Sequence, residues 1–248
     1  MTLRSLFLLS AATILGPIRA SAEEILFCGT APYYPSEYTC YDGHFLCPRL
    51  YGQATLPCGG ACYSPDMYWC DGAQQLQLLP RMAQGTPFKI VVQSDVPALN
   101  NRQLEVCGLQ FRAGPDAQTC VYCFNAPPQY VCSEYQNKTV LLPSGSMSVS
   151  VPGGQYWFVD QTNGRLRTTA AGKAAGEGLN LAGFGVTIYH EGYFSYDGTS
   201  HWLACREPGN AEVYGIFAPI PGSPEGCHRI KLATELSTVP KEGAYSYT

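Results

Sequence analysis

Charged residues are scarce in this sequence: they make up 14% of its 248 positions, and the net charge is −4. This acidic balance, with a pI of about 5.5, argues against nucleic acid and anionic membrane surfaces as partners. The chain instead holds 26 Gly, 19 Pro and 17 Tyr. Such a composition is typical of a rigid extracellular β-protein and not of a helical or a disordered chain.

Long hydrophobic runs are also missing, apart from one at the start of the chain. Arg4, an apolar run over residues 6–16 and the small residues Ala20-Ser21-Ala22 together predict a secretory signal peptide over residues 1–22. The run is shorter than the roughly 20 residues that span a bilayer, and no GPI-type tail follows. We therefore expect a secreted protein, extracellular or in the cell wall, with no membrane partner.

Motifs of catalysis and of metal binding are missing as well. The four histidines have no metal-ligand spacing such as HExxH, and no GxSxG elbow occurs. A glycosidase needs two carboxylates a few ångströms apart in a cleft, and nothing places the candidates together. These candidates are Asp160, Glu177, Glu191 and Asp197. We therefore predict a protein that is not an enzyme and that uses no metal and no cofactor, although the chain is long enough for a small catalytic domain.

What the sequence does have is twelve cysteines, all beyond the predicted cleavage site. An even number of cysteines in an oxidising compartment predicts disulfides. The cysteines fall into two groups of six: Cys28, Cys40, Cys47, Cys58, Cys62 and Cys70, then Cys107, Cys120, Cys123, Cys132, Cys205 and Cys227. The CxxC at 120–123 lacks both the helix start of a redox site and the second pair of a zinc site. Its flanking cysteines favour two disulfides there.

The first group of cysteines belongs to an internal repeat, because residues 28–43 recur 30 positions later. Both copies share the frame Cys-Gly-x3-Tyr-x-Pro-x2-Tyr-x-Cys. Each copy is too short to bury a core, so covalent bridges must replace one. The repeat predicts the equivalent bridges Cys28–Cys40 and Cys58–Cys70 and leaves Cys47 and Cys62 to join the halves, while other pairings of the six stay open.

Aromatic residues crowd this repeat, and so small a module cannot bury them all. Exposed rings with polar neighbours are the usual receptor for sugars, because a sugar's C–H face packs on the ring. The predicted ligand-binding residues are Tyr33, Tyr34, Tyr41, Tyr63 and Trp69, with Asp42 and Asp71 as acceptors. Glu37 and Asp66 are further acceptors. We expect Tyr38 and Tyr68, each two residues before a cysteine, to cover the bridges instead.

Residues 28–76 resemble a known family, the fungal carbohydrate-binding module of family 52, which accompanies endo-β-1,3-glucanases. The resemblance lies in the motifs at 38–43 (YTCYDG), 46–48 (LCP) and 58–65 (CGGACYSP). It implies that the module binds β-glucan, most directly β-1,3-glucan.

The rest of the chain has the pattern of short strands separated by turns. Asn163-Gly164 and Asp197-Gly198 each separate two apolar runs, which is a strong hairpin signal. We predict an all-β protein: a disulfide-rich module of two pseudo-repeats over residues 23–78, a linker over 79–86, and an antiparallel β-sandwich or barrel over 87–248.

A sequon at Asn137 predicts a glycan.

This second part resembles the PhiA-like cell-wall proteins of fungi, through residues 155–168 and above all 194–205 (FSYDGTSHWLAC). The resemblance implies an association with the cell wall, no catalytic site and a disulfide between Cys205 and Cys227. The cysteine cluster at 107–132 departs from that family and looks like an added loop.

These observations lead to one prediction of function. The protein is a secreted, non-catalytic carbohydrate-binding protein of the fungal cell wall, and its ligand is cell-wall polysaccharide, most directly β-1,3-glucan. Two alternatives stay open: a polysaccharide-active hydrolase with an attached binding module, and a secreted effector or adhesin that recognises glucan.

Overall fold

The computed structural model describes residues 23–50, 52–123, 135, 137–173, 180–181, 186–188, 192–237 and 243–248. All regular structure in these residues is β-strand, as the sequence predicts. No helix that is long and apolar enough to cross a membrane occurs in them. Contacts divide the chain into two units, with the division after Ala54.

The first unit contains the first copy of the repeat. Its strands are β1 (Leu26–Cys28), β2 (Ala31–Tyr33), β3 (Tyr38–Tyr41), β4 (Phe45–Leu50) and β5 (Gln53–Ala54). β1 and β2 form a hairpin, and β3, β4 and β5 form a three-stranded sheet. The Cys28–Cys40 disulfide links the two parts, with 5.6 Å between the Cα atoms.

The second copy repeats this backbone at the start of the second unit. Its strands are β6 (Leu56–Cys58), β7 (Ala61–Tyr63), β8 (Tyr68–Cys70) and β9 (Leu76–Leu78). The register is the same in both copies, since Leu26 pairs with Tyr33 and Leu56 pairs with Tyr63. The Cys58–Cys70 disulfide has the same Cα–Cα distance of 5.6 Å. The repeat read from the sequence is therefore a structural repeat, with both predicted bridges in place.

The remainder of the second unit is built around one antiparallel sheet. The strands after β9 are β10 (Phe88–Gln93), β11 (Glu105–Cys107), β12 (Gln110–Ala113), β13 (Val121–Tyr122), β14 (Trp157–Val159), β15 (Leu166–Thr168), β16 (Asn180–Leu181), β17 (Val186–Ile188), β18 (Phe194–Tyr196), β19 (His201–Glu207), β20 (Asn210–Phe217), β21 (His228–Leu236) and β22 (Ser246–Tyr247). Nine of them form a sheet in the order β10-β21-β19-β20-β12-β15-β14-β16, with β11 also paired to β12. The pairs β13–β22 and β17–β18 lie outside it.

Buried and more exposed side chains alternate along these strands, and the buried ones form the core. In β10, Phe88, Ile90 and Val92 are fully buried while the residues between them are not. At the centre Phe194 packs against Trp157 and Trp202, with ring centroids 5.1 and 5.2 Å away. Both indole N–H groups donate to backbone carbonyls, so these two tryptophans are buried without an unpaired polar atom.

One of the two predicted hairpins is present, and of the other only the turn forms. β14 and β15 pair across Asn163-Gly164, and Gly164 donates its backbone N–H to the carbonyl of Asp160 within the loop. Asp197 and Gly198 form a tight turn with positive φ values of 47° and 74°, closed by a bridge between Tyr196 and Thr199. The flanking strands do not pair with each other, because β18 pairs with β17 while β19 pairs with β20 and β21.

The end of the chain is part of the fold. Gln155 is fully buried. Its amide accepts a hydrogen bond from the backbone N–H of Tyr247 at 2.7 Å and donates one to the carbonyl of Tyr247 at 3.0 Å. This pair of bonds fixes β22 inside the domain.

The predicted linker is also packed against this domain. Met82 is 5% exposed and belongs to the hydrophobic core, and its backbone N–H donates to the carbonyl of Ile188. Residues 79–86 therefore do not run freely between two bodies, because an apolar side chain in their middle is buried. The predicted boundaries of independently folding domains stay a prediction.

Disulfides also form in the second unit beyond the repeat. Cys107 bonds Cys120, and Cys205 bonds Cys227 as the family resemblance implies. Cys47, Cys62 and Cys123 are disulfide-bonded as well, and the structure shows no free cysteine among the described residues. Cys132 lies outside those residues.

One buried carboxyl makes the stability of this fold depend on pH. The pKa of Glu105 is raised to about 7, because burial disfavours its charged form more than Lys138 and Thr139 favour it. A carboxyl whose pKa is higher in the folded than in the unfolded chain binds its proton more tightly when folded. Stability therefore falls as the pH rises from about 4.5 to above 7.

We predict that the free energy of unfolding drops by about 1–3 kcal/mol over this range, and that Glu105→Gln removes most of the drop. Denaturant unfolding at pH 4.5 and pH 8 measures it. Glu225→Gln, at an exposed position, is the matched control. An unchanged pH dependence in Glu105→Gln would mean that another group is responsible.

Candidate functional site

Several large apolar residues of the repeat lie at the surface. Trp69 is 48% exposed, Tyr34 43% and Tyr38 39%. The chain has three tryptophans, and the other two are fully buried in the core. Trp69 is thus a large flat ring that the fold leaves accessible.

The β8–β9 hairpin places two polar side chains beside Trp69. Trp69 and Gln77 are directly opposite each other in the strand pair, so their side chains lie on the same face. Asp71 follows two residues after Trp69 on that face, and the Gln77 amide donates to its Oδ2 at 3.0 Å. Trp69, Gln77 and Asp71 form a continuous surface, which we call the Trp69 face.

The Asp71 carboxylate is fixed in position by its own loop. Its Oδ1 accepts the backbone N–H groups of Ala73 at 3.0 Å and Gln75 at 2.8 Å. The bond from Gln75 and that from Gln77 lower the pKa of Asp71. The carboxylate therefore stays charged in mildly acidic solution and presents oriented acceptor oxygens next to the ring.

The Trp69 face has the chemistry of a sugar-binding surface. A ring accepts the C–H face of a pyranose, while an amide and a carboxylate beside it accept and donate hydrogen bonds with the hydroxyl groups. The sequence predicted Trp69 and Asp71, and the hairpin brings them together. It did not predict Gln77, whose only signal was its place in a short apolar–polar alternation with Leu76 and Leu78.

The first copy of the repeat presents different side chains at the equivalent positions. Thr39 and Tyr41 stand where the second copy has Trp69 and Asp71, and Tyr41 is half-buried. This copy instead exposes the rings of Phe27, Tyr34 and Tyr38. The expectation that Tyr38 covers the bridge stays a prediction.

The remaining predicted ligand-binding residues differ in how far they are exposed to solvent. Tyr33 and Tyr63 are equivalent and half-buried, opposite Leu26 and Leu56. Asp42 is exposed in a turn with a φ of 51°. Phe27, which the sequence did not single out, is 69% exposed.

Asp66 has a structural role and does not offer an acceptor to a ligand. It is 6% exposed. Its Oδ1 accepts the Lys231 ammonium at 2.7 Å, and its other oxygen accepts the Ser200 hydroxyl. This ion pair attaches the second copy of the repeat to β21 of the large sheet.

Two of the four carboxylates considered for a hydrolase lie among the described residues, and each has a local structural role. Asp160 accepts bonds from Thr162 and Arg167, which lower its pKa, the opposite of what a general acid needs. Asp197 lies in its hairpin turn, and Glu177 and Glu191 lie outside the described residues. Nor do three or more metal-ligating side chains come together in the part of the chain that the structure describes.

Fold and site together define the class: an all-β, disulfide-bonded protein with a carbohydrate-binding domain near its N-terminus. Residues 27–75 match a family described as carbohydrate binding. A 55-residue segment is 44% identical to the primary septum glucan endo-1,3-beta-D-glucosidase of Schizosaccharomyces pombe. That match covers 22% of this chain and only 5% of the enzyme.

A second relative is similar over most of its length. The chain is 30% identical over 188 residues to an uncharacterized secreted protein of Arthroderma benhamiae, a match that covers 68% of this chain and 91% of that protein. The chain belongs to the family of this secreted fungal protein. No solved structure matches it.

The Asp66–Lys231 ion pair gives a prediction about stability. Asp66→Ala should lower the free energy of unfolding by about 3 kcal/mol, because it leaves the Lys231 ammonium without its partner in a largely buried site. Lys231→Met added to Asp66→Ala should cost much less than Lys231→Met alone. Urea unfolding of the four proteins measures the coupling, and simple additivity would contradict the interaction.

Proposed function

We propose that this protein is a secreted, non-catalytic carbohydrate-binding protein of the fungal cell wall and that it binds β-1,3-glucan through the Trp69 face. Residues 28–76 are then a module of the family-52 type, and the β-domain is of the PhiA-like type. The observation that carries the proposal is an exposed tryptophan flanked by a fixed carboxylate and an amide.

The choice of β-1,3-glucan is supported by the name of the Schizosaccharomyces pombe relative, a glucan endo-1,3-beta-D-glucosidase. The shared segment is short and corresponds in length to the binding domain alone. The non-catalytic part of the proposal rests on the sequence, which has neither a GxSxG elbow nor an HExxH motif. The secreted relative and the disulfides support an extracellular location.

A single such face is expected to bind weakly, because a hydrated polysaccharide offers little apolar area for burial. Retention of the protein at a wall then depends on several contacts with one polysaccharide chain or fibre. Once the first contact has formed, the second forms at a high effective concentration. The exposed Tyr34 and Tyr38 in the first copy of the repeat are candidates for such additional contacts.

The test is a pull-down of the full-length protein on insoluble β-1,3-glucan. Trp69→Ala should weaken binding about tenfold or more, which corresponds to a loss of about 1.4 kcal/mol. Tyr122→Ala removes a ring that is 54% exposed in β13 and serves as the matched control, with binding unchanged.

Two results would contradict the proposal. Binding by folded Trp69→Ala that equals the parent would place the ligand elsewhere, and failure of the parent to bind any β-glucan would remove the function. Release of reducing ends from soluble β-1,3-glucan by the parent would instead favour the hydrolase alternative.

A further inference from the structure

A groove lies on the outer face of β21 in the large sheet, with a volume of about 450 Å³. Leu232 and Thr234 are buried on the inner side of the strand, so Ala233 between them points outward and forms the floor. Tyr193 pairs with Ala233 and forms one wall. Glu235, whose carboxylate is 2.8 Å from the Lys89 ammonium, lies at the far end.

The Tyr193 ring is held in place from two directions. Its hydroxyl donates to Oε1 of Gln93 at 2.9 Å, and the Lys231 ammonium lies 4.8 Å from the ring centroid. Burial and the nearby Asp66 carboxylate raise the pKa of Tyr193, so the phenol stays neutral. A fixed ring costs little conformational entropy when a ligand packs on it.

The groove is connected to the Trp69 face through one lysine. Lys231 contacts the Tyr193 ring and also forms the ion pair with Asp66. Asp66 precedes Trp69 by three residues, a stretch that spans at most about 11 Å. Both surfaces therefore belong to the second unit, and each is close in the chain or in space to the Asp66–Lys231 ion pair.

We propose that this groove is a second glucan-binding subsite and that one polysaccharide chain contacts both Tyr193 and Trp69. The inference rests on the proposed function and extends the binding site from the repeat onto the β-domain. The chemistry matches that of the Trp69 face: an aromatic ring beside an amide, Gln93, with a carboxylate, Glu235, within the same groove. The Asp66–Lys231 ion pair then holds the two subsites in a fixed relation.

Two variants of the full-length protein test the groove. Tyr193→Ala removes the ring, and Ala233→Leu fills the floor while leaving Tyr193 in place. Binding of soluble β-1,3-gluco-oligosaccharides of increasing length is measured by titration calorimetry. Thermal unfolding of each variant establishes that it is folded.

For the parent, affinity should rise with oligosaccharide length beyond what one face accommodates. Both groove variants should lose about tenfold in affinity for the long oligosaccharides and bind the shortest ones like the parent, whereas Trp69→Ala should weaken binding at every length. If folded Tyr193→Ala and Ala233→Leu bind long chains like the parent while Trp69→Ala does not, the groove proposal is wrong and the proposed function stands. If no oligosaccharide binds the parent at any length, both fail.

Discussion

The short disulfide in each copy of the repeat is the constraint on which the candidate binding surface depends. Cys28–Cys40 and Cys58–Cys70 each close a loop of 12 residues, a size that has no hydrophobic core of its own. Because the bridges restrict the unfolded chain, they give each copy stability that so short a segment cannot obtain from a buried core. Trp69 and Tyr34 lie at the surface of the repeat, where they are available to a ligand.

The two copies then show how one backbone carries different surfaces. Equivalent strands have the same register, yet Trp69 in the second copy corresponds to Thr39 in the first. The second copy is also the one whose Asp66 is bound by the β-domain, while Ser36 at the equivalent position is exposed and bonded to Glu23. The ring with fixed polar neighbours thus lies in the copy that forms the Asp66–Lys231 ion pair.

Features set by local spacing could be predicted from the sequence, and features set by distant contacts could not. The repeat, its two bridges, the β14–β15 hairpin and the turn at Asp197-Gly198 follow from residues close together in the chain. Asp66 resembled the other surface acceptors, because its partner Lys231 is 165 positions away. Gln77 gained its role from the β8–β9 register, which composition does not reveal. Nothing in the sequence of the predicted linker indicated that Met82 packs into a core formed by later strands.

The three tryptophans allow the central claim to be tested directly, since Trp69 is exposed while Trp157 and Trp202 are fully buried. The measurement is a nuclear magnetic resonance titration of the ¹⁵N-labelled protein with soluble β-1,3-glucan, observing the three indole N–H signals. We expect the Trp69 signal to shift progressively and to saturate, while those of Trp157 and Trp202 stay in place. A saturating change elsewhere in the spectrum with an unmoved Trp69 signal would contradict it.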